Sequence, residues 1–93
     1  MLSQLPLNLN QVKKEETDKE ILRVGIIAEL DAVSLYEQLA AMTDDENIKK
    51  VFLDIAKEEK THVGEFQALL LERDGEQAEE LESGKKEVEE LTK

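Results

Sequence analysis

Residues 43–69 read TDDENIKKVFLDIAKEEKTHVGEFQAL, and this stretch decides the fold. Ile48, Phe52, Ile55, Glu59, His62, Phe66 and Leu69 follow one another at alternating steps of four and three. That is the period of one helix face and not the two-residue alternation of a strand. The opening Thr43-Asp44-Asp45-Glu46 has the spacing of a capping box, in which the Thr hydroxyl and the Glu carboxylate each satisfy an orphan backbone N–H. A second stripe, Leu22, Ile26, Glu29, Val33, Tyr36 and Ala40, has the same steps and stops just before this box. The connection is therefore short, and two helices so joined are antiparallel neighbours.

Toward the amino terminus, Thr17-Asp18-Lys19-Glu20 repeats the capping-box spacing and predicts a first helix from about Asp18. The second helix is expected to reach about Arg73, where Asp74-Gly75 tolerates a left-handed terminal conformation. Ala78 and Leu81 predict a short third helix ending near Ser83-Gly84. The chain thus divides into an extended or disordered arm (1–16), a helical hairpin domain with its short third helix (17–83) and a charged tail or linker (84–93). The fold class is all-α.

A chain of 93 residues is one small domain with a modest core, to be completed by a partner. Against 12 Lys+Arg stand 23 Asp+Glu, and the net charge of -11 repels phosphate backbones and anionic lipid while concentrating cations. Neither nucleic acid nor a membrane is expected as a partner. Cysteine is absent and His62 is the single histidine, so a metal site must be dominated by carboxylates, which suits Fe, Mn, Mg or Ca. No basic residue precedes Lys13 and no apolar run approaches the ~20 residues of a bilayer span, so a soluble cytoplasmic chain is expected.

Glu29 lies in the middle of the first stripe, and Glu59 with His62 interrupts the second. An ionised carboxylate on an apolar stripe costs roughly several kcal/mol unless it is paired or metal-bound. In an antiparallel hairpin, residues at one height are numbered symmetrically about the turn. Glu29 and Glu59 average to Asp44, and the same rule pairs Ile26 with His62, Val33 with Ile55 and Tyr36 with Phe52. Glu29, Glu59 and His62 should therefore converge. Glu59-Lys60-Thr61-His62 has the Glu-x-x-His spacing of di-iron carboxylate bundles, which take one Glu from each of two helices and one Glu-x-x-His from each of two others. This chain carries half of that set, so two copies would complete it.

Plainer readings stand beside this one. Glu59 with His62 can be a chance pair on a solvated face, with Glu58 as a rival ligand off the stripe, and Glu29 can be a buried salt-bridge partner. Tyr36 can be core or a redox neighbour. Residues 24–36 are apolar nearly all round, and Val24, Ile27, Leu30 and Leu35 lie off the stripe, which predicts further subunit contacts. Gly25 inside a helix costs about 1 kcal/mol against Ala and predicts a close helix approach.

The segment Ile27-Ala28-Glu29-Leu30-Asp31-Ala32-Val33-Ser34-Leu35-Tyr36-Glu37, followed by Asp54-Ile55-Ala56 and Glu58-Glu59-Lys60-Thr61-His62, resembles the encapsulated ferritins over about residues 17–92. These are ferritin-like domains found as separate cargo of, or fused to, an encapsulin shell protein. The resemblance implies Glu29, Glu59 and His62 as iron ligands at a di-iron site shared by a homodimer, with Tyr36 as a nearby aromatic. It implies a four-helix bundle on dimerisation and a ring-shaped decamer, a pentamer of dimers. It implies a ferroxidase that oxidises Fe(II) inside an encapsulin compartment in the cytoplasm. The chain departs from the family at Ala28, where a second acid is frequent, and at Leu35, where an aromatic is; Asp31 keeps the other acidic position associated with metal uptake. Two further readings stay open, a rubrerythrin-like peroxide reductase and a non-catalytic assembly module.

Overall fold

The computed structural model describes residues 16–93, so the arm expected over 1–16 lies outside the described residues except for Glu16. Three helices follow in order, α1 (Thr17–Met42), α2 (Glu46–Arg73) and α3 (Gly75–Leu91). No strand occurs among the described residues. The antiparallel register is the one expected about Asp44, for the Tyr36 and Phe52 rings pack with centroids 6.0 Å apart. Further along, a Cβ built on Gly25 would meet the Phe66 ring at 3.3 Å, so the backbone of α1 approaches α2 closely at the one position without a side chain.

Both capping boxes are displaced by other arrangements. The N-cap of α2 is Asp45, two residues beyond Thr43; its Oδ1 accepts from the Asn47 N–H (2.9 Å) and the Ile48 N–H (3.1 Å). A carboxylate accepting two orphan donors near the positive end of the helix dipole serves better than a hydroxyl accepting one. Thr43 Oγ1 instead accepts from the Asp45 N–H at 3.1 Å and shapes the turn. At α1 the N-cap position is Glu16 without a side-chain cap bond, and the Glu20 carboxylate accepts from Arg23 at 2.7 Å.

The junction of α2 and α3 also differs from the left-handed cap expected there, since no described residue has a positive φ. Asp74 breaks the helix in a non-helical conformation (φ -133°, ψ 87°), donates its N–H to Leu70 O and accepts from the Gln77 N–H through Oδ1 at 3.0 Å. Its second oxygen accepts from Arg23 of α1 at 2.7 Å. The Asp74 carboxyl is held below its usual range by the Gln77 N–H first, with Arg23 and Lys19 adding to the effect. The third helix runs through Gly84 to Leu91 and is longer than expected. A glycine costs a helix only about 1 kcal/mol, and the neighbouring Glu and Lys residues, with Glu82 and Lys86 four apart, favour continuation.

One copy does not close a core. Only Val33, Ala40, Ala56 and Leu70 are buried apolar residues among those described, whereas Ile27, Leu30, Ile48, Val51, Leu53 and Leu69 are each at least 38% exposed. The apolar stripe of α2 accordingly splits. Phe52, Glu59 and Phe66 lie on the side of α1, while the row Ile48, Ile55, His62 and Leu69, spaced by seven, is half-buried or exposed. Of the four residues expected to seek further contacts, Ile27 and Leu30 are exposed and Val24 and Leu35 half-buried.

Candidate metal centre

The helix periods place each functional side chain. Glu29 belongs to the half-buried row Leu22, Glu29 and Tyr36 of α1, and His62 to the outer row of α2, so the two rows meet at these residues. His62 Nδ1 lies 3.2 Å from Glu59 Oε2 and 3.6 Å from Glu29 Oε2. The first is a hydrogen bond; the second is too long for one. Glu29 Oε2 is consequently a buried oxygen without a hydrogen-bond partner. Leaving such an acceptor unsatisfied costs about 1–3 kcal/mol. Ligand atoms of Glu29, Glu59 and His62 lie within 4.8 Å of one another. An ion with bonds of about 2.1 Å to N and O ligands holds neighbouring ligand atoms roughly 3–4 Å apart, so the three groups fit a divalent cation with small side-chain adjustments. Such an ion would give Glu29 Oε2 the partner it lacks.

The site is open on one side. The Glu29 and Glu59 side chains are 21% and 18% exposed, but the His62 side chain is 44% exposed. A cleft of about 220 Å³, lined by Glu29, His62, Glu65 and Phe66, leads to it. Glu65 did not figure among the candidate residues of the sequence, because an acid off the apolar stripe reads as solvated. A second cleft, about 320 Å³, lies against the start of α3 and is lined by Arg23, Ile26, Leu70, Leu81 and neighbours, with no carboxylate in its lining.

Two further candidates stand apart from the cluster. Tyr36 packs on Phe52 and is two helical turns, about 10 Å along the axis, from Glu29. Asp31 is about 200° around the helix from Glu29 and does not line the cleft. Glu58, the rival ligand, is exposed and outside the cluster. Lys60 and Glu37 join the helices by an exposed ion pair at 3.0 Å, of little energetic weight.

The chain matches the family model described as Rubrerythrin over residues 20–93. It superposes on the crystal structure of an encapsulated ferritin domain from Pyrococcus furiosus with a TM-score of 0.84 and 55% identity, over 99% of this chain and 96% of that one. The chain belongs to the encapsulated ferritins, within the rubrerythrin family. Two curated relatives agree with this placement. A ferritin-like-encapsulin shell fusion protein from Pyrococcus furiosus is 58% identical over 95 residues, covering 99% of this chain and 27% of that protein. The encapsulin nanocompartment cargo protein EncC of Myxococcus xanthus is 37% identical over 70 residues, covering 72% of this chain and 54% of that one. The chain thus spans about a quarter and about half of those two relatives. Its all-α architecture is the ferritin-like fold, and no helix among the described residues is long and apolar enough to cross a membrane.

Proposed function

We propose that this encapsulated ferritin is a ferroxidase whose di-iron site is shared by two copies of the chain and works inside an encapsulin compartment of the cytoplasm. The observation that carries the reading is the convergence of Glu29, Glu59 and His62, with a partnerless carboxylate oxygen inside and an imidazole exposed on an unclosed face. Facing a second copy, each triad supplies half of a four-Glu, two-His set. Glu59 of each chain would lie between the two ions as the shared carboxylate, and Glu29 and His62 would complete the ligands of each. His62 would take the ion through the ring nitrogen that faces Glu29 and Glu59, with any proton on that nitrogen moving to the other ring nitrogen or to solvent. Carboxylate ligands favour Fe(III) over Fe(II). Two Fe(II) substrates each give up one electron, and dioxygen takes both together with two protons.

Native mass spectrometry with metal analysis, before and after anaerobic Fe(II) addition, tests the reading. Two irons per dimer and an anomalous peak between paired Glu59 residues are expected; one ion per monomer away from Glu59 overturns it. The family match to rubrerythrin favours one second reading, a di-iron peroxide reductase. Faster oxidation of the loaded site by hydrogen peroxide than by dioxygen would favour that alternative. An assembly module without chemistry predicts instead that Glu59→Ala oxidises Fe(II) as the parent does.

A further inference from the structure

Gly25 and Phe66 meet across the hairpin one turn from the ligands. Each is four residues from a ligand on its own helix, Gly25 from Glu29 on α1 and Phe66 from His62 on α2. Four residues make about one turn, roughly 6 Å along the axis, and put both members of each pair on one face. The Cα–Cβ bond of a helical residue leans toward the helix N-terminus, so the Phe66 side chain leans back toward the turn that carries His62. A Cβ at position 25 would stand 3.3 Å from two ring carbons of Phe66, Cδ2 and Cε2, and 3.6 Å from Cγ. The ring thus rests on the bare backbone of α1. It also borders the space of about 220 Å³ that Glu29 and His62 line. The contact joins two helices of one copy, so a second copy that closes the ligand face leaves it in place.

We propose that Gly25 and Phe66 are the positioning pair of the centre: the close helix approach they permit sets the spacing between Glu29 on α1 and Glu59 with His62 on α2. This rests on the reading of those three residues as the metal centre. Their ligand atoms lie within 4.8 Å of one another, and an ion with bonds of about 2.1 Å draws such atoms to roughly 3–4 Å. Glu29 is the one ligand from α1, so the distance between the helices decides whether it reaches an ion held by Glu59 and His62. A methyl group at position 25 would force the Phe66 ring, or the helix that carries it, to give by a few tenths of an ångström. A helix is stiff over a single turn, so a separation at Gly25 is carried to Glu29, while a ring displaced into the shared space crowds His62. Close packing leaves little slack to absorb either shift. Gly25 and Phe66 bind nothing themselves and act through the ligands. Gly64 of α2 gives the contrast, because a Cβ there would meet nothing within 4 Å.

The test uses the full chain and compares Gly25→Ala with Gly64→Ala, the same substitution with and without a ring in its path. Gly25→Ala is also placed in a Phe66→Leu background. The probe is Co(II), followed by its absorption spectrum under nitrogen. Gly25→Ala should raise the Co(II) Kd about tenfold, the lower end of what loss of an outer support costs a metal site, and change the band intensities at saturation. Gly64→Ala should stay within about twofold. In chelator both variants should melt within about 8 °C of the parent, which separates an effect on the ligands from an effect on folding. Phe66→Leu removes the ring carbons that the added methyl group would meet, so in that background Gly25→Ala should change the Kd by no more than about a further twofold. A rise below about threefold in Gly25→Ala overturns the proposal. So does a rise that persists undiminished beside Phe66→Leu, which would assign it to the α1 backbone alone, or an equal rise in Gly64→Ala, which would make it a matter of helix propensity. A parent chain that binds no Co(II), or binds it as well after Glu59→Ala, would instead refute the metal centre, and the positioning role with it.

Discussion

Replacing Glu29 by leucine sets the stability of the metal-free protein against its capacity for metal. Glu29 Oε2 is buried without a hydrogen-bond partner. Removing an unsatisfied buried acceptor recovers about 1–3 kcal/mol. The Glu29 side chain keeps 21% of its exposure, which places the gain in the lower half of that range, about 1–2 kcal/mol. The approach to His62 Nδ1 that the substitution removes is 3.6 Å long and lies beside a 44% exposed ring, so it offsets only a few tenths of that, roughly. For a domain of this size each kcal/mol moves Tm by about 4–8 °C, so Glu29→Leu should melt about 4 °C or more above the parent in chelator. With anaerobic Fe(II) at about 100 times its Kd, the parent gains about 2.7 kcal/mol and the variant gains nothing, so the order reverses. The assay is urea and thermal unfolding followed by circular dichroism at one fixed protein concentration, because protomer association contributes to the apparent stability. A metal-free variant less stable than its parent by about 1 kcal/mol or more would refute the reasoning and make Glu29 a structural ion-pair partner of His62.

Three further outcomes rest on particular side chains. Gly25→Ala should leave stability within about 1 kcal/mol, because improved helix propensity opposes a slight displacement of Phe66; Gly25→Leu should destabilise by about 3 kcal/mol or more in the same unfolding assay and shift the His62 imidazole resonances through Phe66. Asp45→Ala should cost about 1 kcal/mol by leaving the Asn47 and Ile48 amides uncapped, visible as faster hydrogen exchange at those two positions. The Asp74 carboxyl is held below its usual range by the Gln77 amide and by Arg23, so its contribution is complete above the ordinary carboxyl pKa and is lost as pH falls through the lowered value. Exchange protection of the Gln77 amide should therefore hold down to the ordinary carboxyl range and collapse below it, whereas Asp74→Asn should show no such step.

The hairpin was legible because its signal is local and periodic. Two stripes with one period, separated by a short polar turn, admit one antiparallel register, and that register brings Glu29, Glu59 and His62 together and sets Tyr36 on Phe52. Gly25 was legible for the same reason, since a helical glycine facing a neighbouring helix marks close approach. Capping was less so. Thr43, Asp44 and Asp45 are all competent caps, and the choice of Asp45 depends on where the backbone leaves the helix. The end of α3 was misplaced because Gly84 reads as a terminator, although its flanking Glu and Lys residues carry the helix past it.

The order of apolar and acidic residues along the chain determined the fold class, the register and the meeting of three ligand-type side chains, because helical period and turn position are functions of sequence spacing alone. Tertiary structure decided what spacing does not encode. It split the α2 stripe into a row covered by α1 and a row left open, since the angle between two helices selects which half of a wide apolar face is buried. It fixed the start of α3 by joining Asp74 to Arg23, residues 51 apart in the chain, because a charge pair acts through space. It also brought Glu65 into the cleft beside His62, a placement set by the surface the two helices leave between them.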